Sequence, residues 1–355
     1  MAEPAVVVDG TPLLGRRTGI GRYTACLLAE LAGTVPLRVI GLTARGRAAL
    51  PGLVPPGARV VGPPVPARAL RACWRRLPLP PVELLGAVGD VVHGTNFVLP
   101  PSRSPGVLTV HDLAFLDDPA LAEPDLPALV RRSARRAAVV CTPTAAVAEV
   151  VRTRLDVPAE RIAVTPLGVD PAWSSAAPLD AEARARLGVP GQYLLFVGAG
   201  GSRKGLPVLL RALSADLPPL VVAGPAAAGE LTAPDGAVTR TGYLDDDVLR
   251  GLVAGAAALV LPSRDEGFGL PALEALACGV PVVCSDVPAL REVTGGHADL
   301  VPPGDPEALR EALRTAAARP RDATSDAARR AHAAGFTWRA CAEATRAAYH
   351  RAART

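Results

Sequence analysis

Short apolar runs alternate with helix-forming segments along almost the whole chain. Eleven runs have the length and the Val/Leu-rich composition of buried strands: Ala5–Val8, Leu37–Leu42, Asp90–Val92, Gly106–Val110, Ala138–Thr142, Ile162–Val164, Tyr193–Val197, Pro219–Ala223, Ala237–Thr241, Ala257–Leu261 and Pro281–Cys284. Apolar strands separated by helical segments are typical of parallel sheets that helices cover on both faces. The sequence therefore predicts an α/β fold, and its 355 residues suit two domains of ordinary size.

The alternation is interrupted between Thr165 and Gln192, in a segment that contains four prolines. Proline-rich stretches of this kind are common between domains. We predict a first domain at residues 1–170, a second at 171–335 and a final helical segment at 336–355.

Charge and composition exclude several classes of function. The net charge of +4 is mild and argues against a dedicated nucleic-acid-binding protein. The first residues lack the basic and apolar regions of a secretory signal, and no apolar run of about 18 residues is present to cross a membrane. The six cysteines lack the paired spacing of a metal site, which is typical of thiols in a reducing compartment. A cytoplasmic location is therefore expected.

The stretch Leu261–Pro281, LPSRDEGFGLPALEALACGVP, carries the strongest chemical signal. A strand end leads through a glycine-rich turn into a helix with Pro271 in its first turn, a position where the missing N–H has no intrahelical role. Amides at a helix start favour an anion. Glu266 and Glu274 flank this start, and carboxylates accept hydrogen bonds from hydroxyls. A nucleotide sugar offers both a diphosphate and hydroxyls, so this stretch predicts a site for one.

The two glutamates and the GFGLP between them resemble the E-x7-E motif of retaining glycosyltransferases of family 4, group 1, which have the GT-B fold. The resemblance covers nearly the whole chain, including a TPLGVD segment similar to the interdomain linker at Thr165–Asp170. It implies two Rossmann-like domains whose parallel sheets face each other across a cleft. It also implies that the last helix, which follows the F-T-W at 336–338, crosses back to the N-terminal domain.

A second glycine-rich loop, Gly198–Leu206, follows the predicted strand Tyr193–Val197. It contains Lys204, the only lysine among 38 Lys and Arg residues, which suggests that the position requires a compact ammonium rather than a guanidinium. The loop resembles the R-K-G element of the family. Many members carry an arginine directly after the strand's glycine, where this chain has Ala199, and Arg203 is expected to supply that charge.

In the N-terminal half, Gly19-Ile20-Gly21-Arg22-Tyr23 resembles the family's N-terminal glycine loop, and a plain helix-entry loop is the alternative. Asn96, the only asparagine, and His111-Asp112 each follow a predicted strand, where open α/β sheets form their sites. The HDLAF at 111–115 resembles that of the family's mannosyltransferases, whose histidine lies beside the transferred sugar. Asp112 can instead cap the next segment. His93 also follows the predicted strand Asp90–Val92, and for it a structural role is the alternative.

The resemblance assigns roles to these residues. Catalytic roles are expected for Glu266, His111, Arg203 and Lys204; donor binding for Gly19, Gly21, Arg203, Lys204, Glu266, Gly267, Phe268, Gly269, Leu270 and Glu274; and acceptor-side roles for Asn96 and Asp112. Glu266 is expected to contact the donor sugar, and Glu274 the ribose hydroxyls.

No metal and no cofactor is expected. The Asp245–Asp247 run precedes a helix, where capping carboxylates are common, so it is not interpreted as the D-x-D metal site of the other glycosyltransferase fold. Two arginine-rich helix faces are interpreted as solvated surfaces or as contacts for an anionic acceptor or the inner face of a membrane: Arg68, Arg71, Arg75 and Arg76 around Trp74, and Arg131, Arg132, Arg135 and Arg136.

The resemblance implies transfer of a hexose from a nucleoside-diphosphate sugar to an acceptor hydroxyl, with retention of configuration and without a metal. HDLAF favours mannose from GDP-mannose. The acceptor is expected to be a carbohydrate, a lipid-linked molecule or a natural product, and nucleic acid is not expected as a partner. Two alternatives stay open on the same fold: a nucleotide-sugar 2-epimerase, and a nucleotide-sugar-binding module without catalysis.

Overall fold

The computed structural model describes residues 2–15, 18–225 and 237–355. It divides into two compact units. The first extends to Gly168 and also includes Trp338–Thr355, and the second is Val169–Thr337. The domain boundaries predicted from the sequence, after residues 170 and 335, lie within two residues of these bounds.

The first unit contains a parallel sheet with the order β3-β2-β1-β4-β5-β6-β7. Its strands within the described residues are β1 (Val6–Asp9), β2 (Leu37–Ile40), β3 (Arg59–Val61), β4 (Val91–Gly94), β5 (Gly106–Thr109), β6 (Val139–Thr142) and β7 (Ile162–Val164). Val6, Val7 and Val8 are completely buried, because β1 lies in the interior of the sheet between β2 and β4. The strand order reverses between β1 and β4, and the carboxyl ends of strands at such a point form ligand sites in open α/β sheets.

Helices cover this sheet, and the last of them comes from the end of the chain. They are α1 (Gly19–Leu31), α2 (Ala67–Arg76), α3 (Leu126–Arg136), α4 (Ala145–Arg154) and α12 (Trp338–Ala352). Helix α12 packs against α1 and against strands β5, β6 and β7. Its Tyr349 side chain is completely buried there. The last helix therefore belongs to the first unit, as the resemblance implied.

The second unit contains a parallel sheet with the order β10-β9-β8-β11-β12-β13. Its strands within the described residues are β8 (Leu194–Val197), β9 (Leu220–Ala223), β10 (Val238–Gly242), β11 (Ala258–Leu261), β12 (Val282–Ser285) and β13 (Asp299–Val301). Its helices are α5 (Ala181–Leu187), α6 (Leu206–Ala212), α7 (Asp246–Ala254), α8 (Leu270–Ala277), α9 (Pro288–Thr294), α10 (Pro306–Ala318) and α11 (Ala323–Ala334). Two parallel sheets with helices on them confirm the predicted α/β architecture.

Candidate functional site

In the second unit, the loop after β8 lies directly on the end of β11. Gly205 has a φ of +72°, and a Cβ atom there would be 1.8 Å from the carbonyl oxygen of Pro262. The Arg264 amide donates to the Arg203 carbonyl at 2.8 Å. Only glycine permits this close backbone approach. The approach holds the R-K-G element of the first loop beside the first glutamate of the second.

Glu266 is the centre of this cluster. Its Oε1 atom is 2.5 Å from Lys204 Nζ and accepts a hydrogen bond from the Ser263 hydroxyl at 2.7 Å. Its Oε2 atom is 3.9 Å from Arg203 Nη1, and that guanidinium also donates to the Asp265 carbonyl at 3.2 Å. The structure therefore brings together three of the four residues that were predicted to be catalytic. Ser263, which is fully buried, was not predicted.

The surroundings of Glu266 keep it ionised. Burial alone would raise the pKa of its carboxyl, but the charges of Lys204 and Arg203 and the hydrogen bonds from Lys204 and Ser263 hold that pKa below its usual value. A buried carboxylate is stable when charged partners and hydrogen bonds compensate for lost water. At neutral pH the cluster therefore consists of one buried anion between two cations.

The glycine-rich turn ends where α8 begins at Leu270. Gly269 has a φ of +90°, and a Cβ atom there would be 2.4 Å from Leu290 Cδ2, so both the backbone angle and the space require glycine. Phe268 packs edge-on against Phe336, with ring centroids 5.9 Å apart. Pro271 lies in the first turn, as predicted. Glu274 lies in the second turn of α8 and is buried.

In the first unit, His111 is buried and held by backbone. Its Nε2 atom is 2.9 Å from the Thr95 carbonyl oxygen, which can only accept, so Nε2 carries the proton. The rings of Tyr23 and Phe97 contact it edge-on, with centroids at 4.9 and 5.8 Å. Burial lowers the pKa of His111, and the Thr95 carbonyl and Asp112 oppose this only in part. A neutral imidazole with the proton on Nε2 leaves the Nδ1 lone pair as an acceptor.

Asp9, at the carboxyl end of β1, was not predicted from the sequence. Its Oδ1 atom accepts hydrogen bonds from the Thr11 amide at 2.9 Å and the Thr11 hydroxyl at 2.5 Å. Burial raises the pKa of Asp9 to about 6, although both Thr11 hydrogen bonds lower it. The Thr95 hydroxyl donates to the Asp9 carbonyl at 2.7 Å, which connects β1 to the segment that holds His111. The available signal was a single carboxylate that ends an otherwise apolar strand.

The two acceptor-side candidates differ in their contacts. Asn96 Oδ1 is buried and has no hydrogen-bond partner among the described residues, and the next residue, Phe97, has a φ of +59°. Asp112 Oδ1 accepts from the Ala114 amide at 3.3 Å, as the capping alternative requires.

The N-terminal glycines lie in a helix rather than in the loop that was expected before it. Helix α1 begins at Gly19, so Gly19 and Gly21 form its first turn. A Cβ atom at Gly21 would be 2.8 Å from the carbonyl oxygen of Pro12, which gives this glycine a packing role. The predicted loop conformation was therefore wrong.

His93 has the structural role that was the alternative for it. Its Nδ1 atom is 2.7 Å from the Tyr349 hydroxyl, and its Nε2 atom is 2.8 Å from the Thr109 hydroxyl. The side chain is completely buried, and burial, with a small effect of His111, lowers its pKa to about 3. It therefore connects α12 to the sheet as a neutral group.

Across residues 2–15, 18–225 and 237–355, no group of three or more His, Cys, Asp or Glu side chains has a metal-binding arrangement. Asp245 occupies the N-cap position of α7, and Asp247 forms an ion pair with Arg250. In the same described ranges, none of the helices combines the length and the hydropathy that crossing a membrane requires.

Comparison with known proteins gives matches to both units. Residues 17–173 match the family model described as Glycosyltransferase Family 4, and residues 191–319 match the model described as Glycosyl transferases group 1.

Two curated relatives illustrate the similarity. The chain is 31% identical over 241 residues to the O-antigen chain mannosyltransferase B of Escherichia coli, a match covering 62% of this chain. It is 36% identical over 290 residues to a D-inositol 3-phosphate glycosyltransferase of Kineococcus radiotolerans, covering 70% of this chain. The aligned segments span 63% and 66% of these relatives, just under two thirds of their length.

The fold is similar to that of a solved sucrose-phosphate synthase from Thermosynechococcus elongatus. The TM-score is 0.75 at 22% sequence identity, and the match covers 98% of each chain.

Proposed function

The chain belongs to the glycosyltransferases of family 4, group 1, and from this membership we propose that it transfers a hexose from a nucleoside-diphosphate sugar to an acceptor hydroxyl with retention of configuration. The observation that carries the proposal is the contact of Lys204 and Arg203 with the buried carboxylate of Glu266.

The charges of this cluster suit the breaking of a sugar–diphosphate bond. Negative charge grows on the leaving diphosphate while the sugar ring becomes cationic. Lys204 and Arg203 would stabilise the first charge, together with the amides at the start of α8, and the Glu266 carboxylate would lie toward the second. Cations and an anion that are already ordered before the substrate binds need little reorganisation during the reaction. No metal is part of this proposal.

We propose mannose, carried by GDP, as the donor sugar. The HDLAF at 111–115 supports this choice, as does the similarity to a protein described as an O-antigen chain mannosyltransferase. The neutral His111, with its Nδ1 lone pair, would accept a hydrogen bond from a hydroxyl of the transferred sugar. The acceptor is proposed to be a carbohydrate or a lipid-linked or natural-product molecule with a free hydroxyl.

A peripheral membrane contact is proposed for the end of α2. Leu77 and Leu79 are 59% and 53% exposed, and they follow Arg75 and Arg76. Apolar side chains next to cations suit an anionic lipid surface. Co-sedimentation with phosphatidylglycerol vesicles, lost in a Leu77→Ser, Leu79→Ser variant, would support the contact. Equal sedimentation of both proteins would refute it.

Donor binding is the first test of the proposed function. The melting temperature is measured with GDP-mannose, GDP, UDP-glucose and UDP, and Lys204→Ala serves as the control. A ligand at 100 times its Kd adds about 2.7 kcal/mol of stability, so GDP-mannose and GDP should raise the melting temperature of the wild type but not of the variant. No response to any nucleotide would refute the proposal.

The products separate the remaining alternatives. Incubation of GDP-mannose with hydroxylated acceptors should give an α-mannoside, identified by the C1–H1 coupling constant in NMR. A β-mannoside would contradict retention. A C2 epimer of the donor formed without acceptor would indicate the epimerase, and donor binding without turnover would indicate a binding module.

A further inference from the structure

Asp9 lies where the strand order of the first sheet reverses, next to β4. One of its two carboxyl oxygens is fully used, because the amide and the hydroxyl of Thr11 both donate to Oδ1. Within the described part of the chain, no hydrogen bond reaches Oδ2. The Asp9 side chain is partly buried, and Oδ2 is not among the enclosed polar atoms, so this oxygen is accessible to a ligand.

The fold does not require a negative charge at this position. The contacts that Asp9 makes are with Thr11 through Oδ1 and with Thr95 through its main-chain carbonyl. An asparagine could accept the same two hydrogen bonds from Thr11. Burial also raises the pKa of Asp9 to about 6, so the ionised form is disfavoured here relative to water. The charge is therefore better explained by a ligand than by stability.

The neighbouring strand ends limit what that ligand can be. Thr95 connects Asp9 to His111, whose protonated Nε2 leaves Nδ1 as an acceptor. Asn96 adds a buried oxygen without a partner in the described ranges. Asp9 Oδ2, Asn96 Oδ1 and His111 Nδ1, at the ends of β1, β4 and β5, are thus three hydrogen-bond acceptors. Acceptors bind a molecule that donates, and a ring with several hydroxyls donates while a phosphate does not.

We propose that Asp9 binds the acceptor substrate, with Oδ2 accepting a hydrogen bond from a hydroxyl of a neutral polyol such as a sugar or cyclitol ring. This inference rests on the proposed function, since it names the substrate group that the first unit contacts. The ionised carboxylate favours a hydroxyl and repels a phosphate at this point.

The test uses the full chain and measures the binding of methyl α-D-mannopyranoside and myo-inositol by saturation-transfer difference NMR. The variant is Asp9→Asn, which keeps the shape and the hydrogen bonds from Thr11. The matched control is Asp90→Asn. Asp90 directly precedes β4, at the amino ends of the strands and away from Asp9, and it accepts a hydrogen bond from the Ala5 amide at 2.8 Å. The melting temperature of each protein with GDP-mannose reports donor binding separately.

At least one polyol should bind to the wild type and to Asp90→Asn, and its Kd should rise about tenfold or more in Asp9→Asn, as expected for a hydrogen bond to a charged group. Asp9→Asn should melt no lower than the wild type, whereas a purely structural aspartate would lower the melting temperature on replacement. If Asp9→Asn does not fold, Asp9→Ala takes its place.

Equal polyol affinity in the wild type and Asp9→Asn would overturn the inference, and so would a wild type that binds neither polyol. In both cases the response to GDP-mannose shows whether the proposed function still stands. A wild type without that response would refute the proposed function itself.

Discussion

The candidate residues of the two units are held in opposite ways. In the second unit, Lys204, Arg203 and Ser263 all surround the Glu266 carboxylate, so the charged groups partner one another. In the first unit, His111 is held by a backbone carbonyl and is neutral, and Asp9 by the Thr11 turn.

This difference fits two kinds of substrate. A diphosphate carries fixed charge and needs cations in place before it arrives, and Glu266 keeps them in place. A polyol carries only hydroxyls. Each hydroxyl needs a single acceptor atom, which can stay without a hydrogen bond until the polyol binds. The charged groups of the second unit are therefore paired before any substrate binds, and we propose that a ligand completes the acceptors of the first unit. Four experiments examine this contrast.

Lys204→Ala should have the largest effect. Removing one preorganised donor from a developing oxyanion typically lowers kcat by about 10² to 10³, and this ammonium also partners the buried Glu266. Lys204→Arg should also be poor, because a planar fork does not replace a compact charge at 2.5 Å from a carboxylate. Steady-state transfer rates are measured with circular dichroism as the check on folding. Activity within a few-fold of the wild type would remove Lys204 from the site.

The two glutamates should differ in the kinetic constant that they affect. Glu266→Gln should lower kcat by about tenfold or more, because its charge matters most when the sugar becomes cationic. Glu274→Gln should mainly raise the donor KM, because the ribose hydroxyls do not change during the reaction. Both variants are measured with saturating acceptor. The opposite pattern would exchange the two assignments, and no effect in either would refute the donor site.

Acid should destabilise the first unit through His93. Its folded pKa of about 3 is below its usual 6.5, so its contribution to stability is complete above about pH 6.5 and is lost as the pH falls toward 3. The loss is about 1.4 kcal/mol per pH unit. Asp9 acts in the opposite sense, since its pKa is raised from 3.8 to about 6 and its contribution is lost as the pH rises through 6.

Without the opposing contribution of Asp9, the Asp9→Asn variant should lose stability more steeply than the wild type as the pH falls from 6 to 4. Hydrogen exchange of the β4 and β5 amides, corrected for intrinsic rates, measures this loss. Amides in β8 and β11 of the second unit are the internal control. Identical pH dependence in the wild type and Asp9→Asn would contradict the pKa shift of Asp9.

Excess EDTA should have no effect on turnover, the smallest change of the four. In the proposed function, Lys204 and Arg203 beside Glu266 supply the charge neutralisation that a metal would otherwise give. A rate that falls with EDTA and returns with Mg²⁺ or Mn²⁺ would show that these cations are not sufficient.

Every interior strand could be predicted from the sequence, but of the four edge strands only β7 and β10 could. Each of the eleven apolar runs forms a strand, and nine of these strands lie inside a sheet, where both faces are buried and select apolar residues. Strands β3 and β13 were missed. Each has three residues and begins with a charged one, Arg59 in β3 and Asp299 in β13, so only two apolar residues follow one another.

The cluster of Lys204, Arg203 and Glu266 was predictable because its residues are close in sequence to recognisable turns. Glu266 and Lys204 each lie in a glycine-rich loop after a strand. Asp9 and Ser263 were missed because a single aspartate or serine at a strand end is common, and only tertiary contacts show what it does. The N-terminal glycines suggested a loop, but the Thr18 side chain accepts from the Gly21 amide and caps the helix earlier.

Helix α12 determines when the first unit can be completed during synthesis. The second unit is continuous from Val169 to Thr337, whereas the first needs Trp338–Thr355 as well. On the ribosome, the second unit is therefore complete before the first, although it begins later in the chain. Until Tyr349 emerges, His93 Nδ1 lacks the hydroxyl that it contacts at 2.7 Å. The first part of the chain to be made is thus the last to reach its final structure.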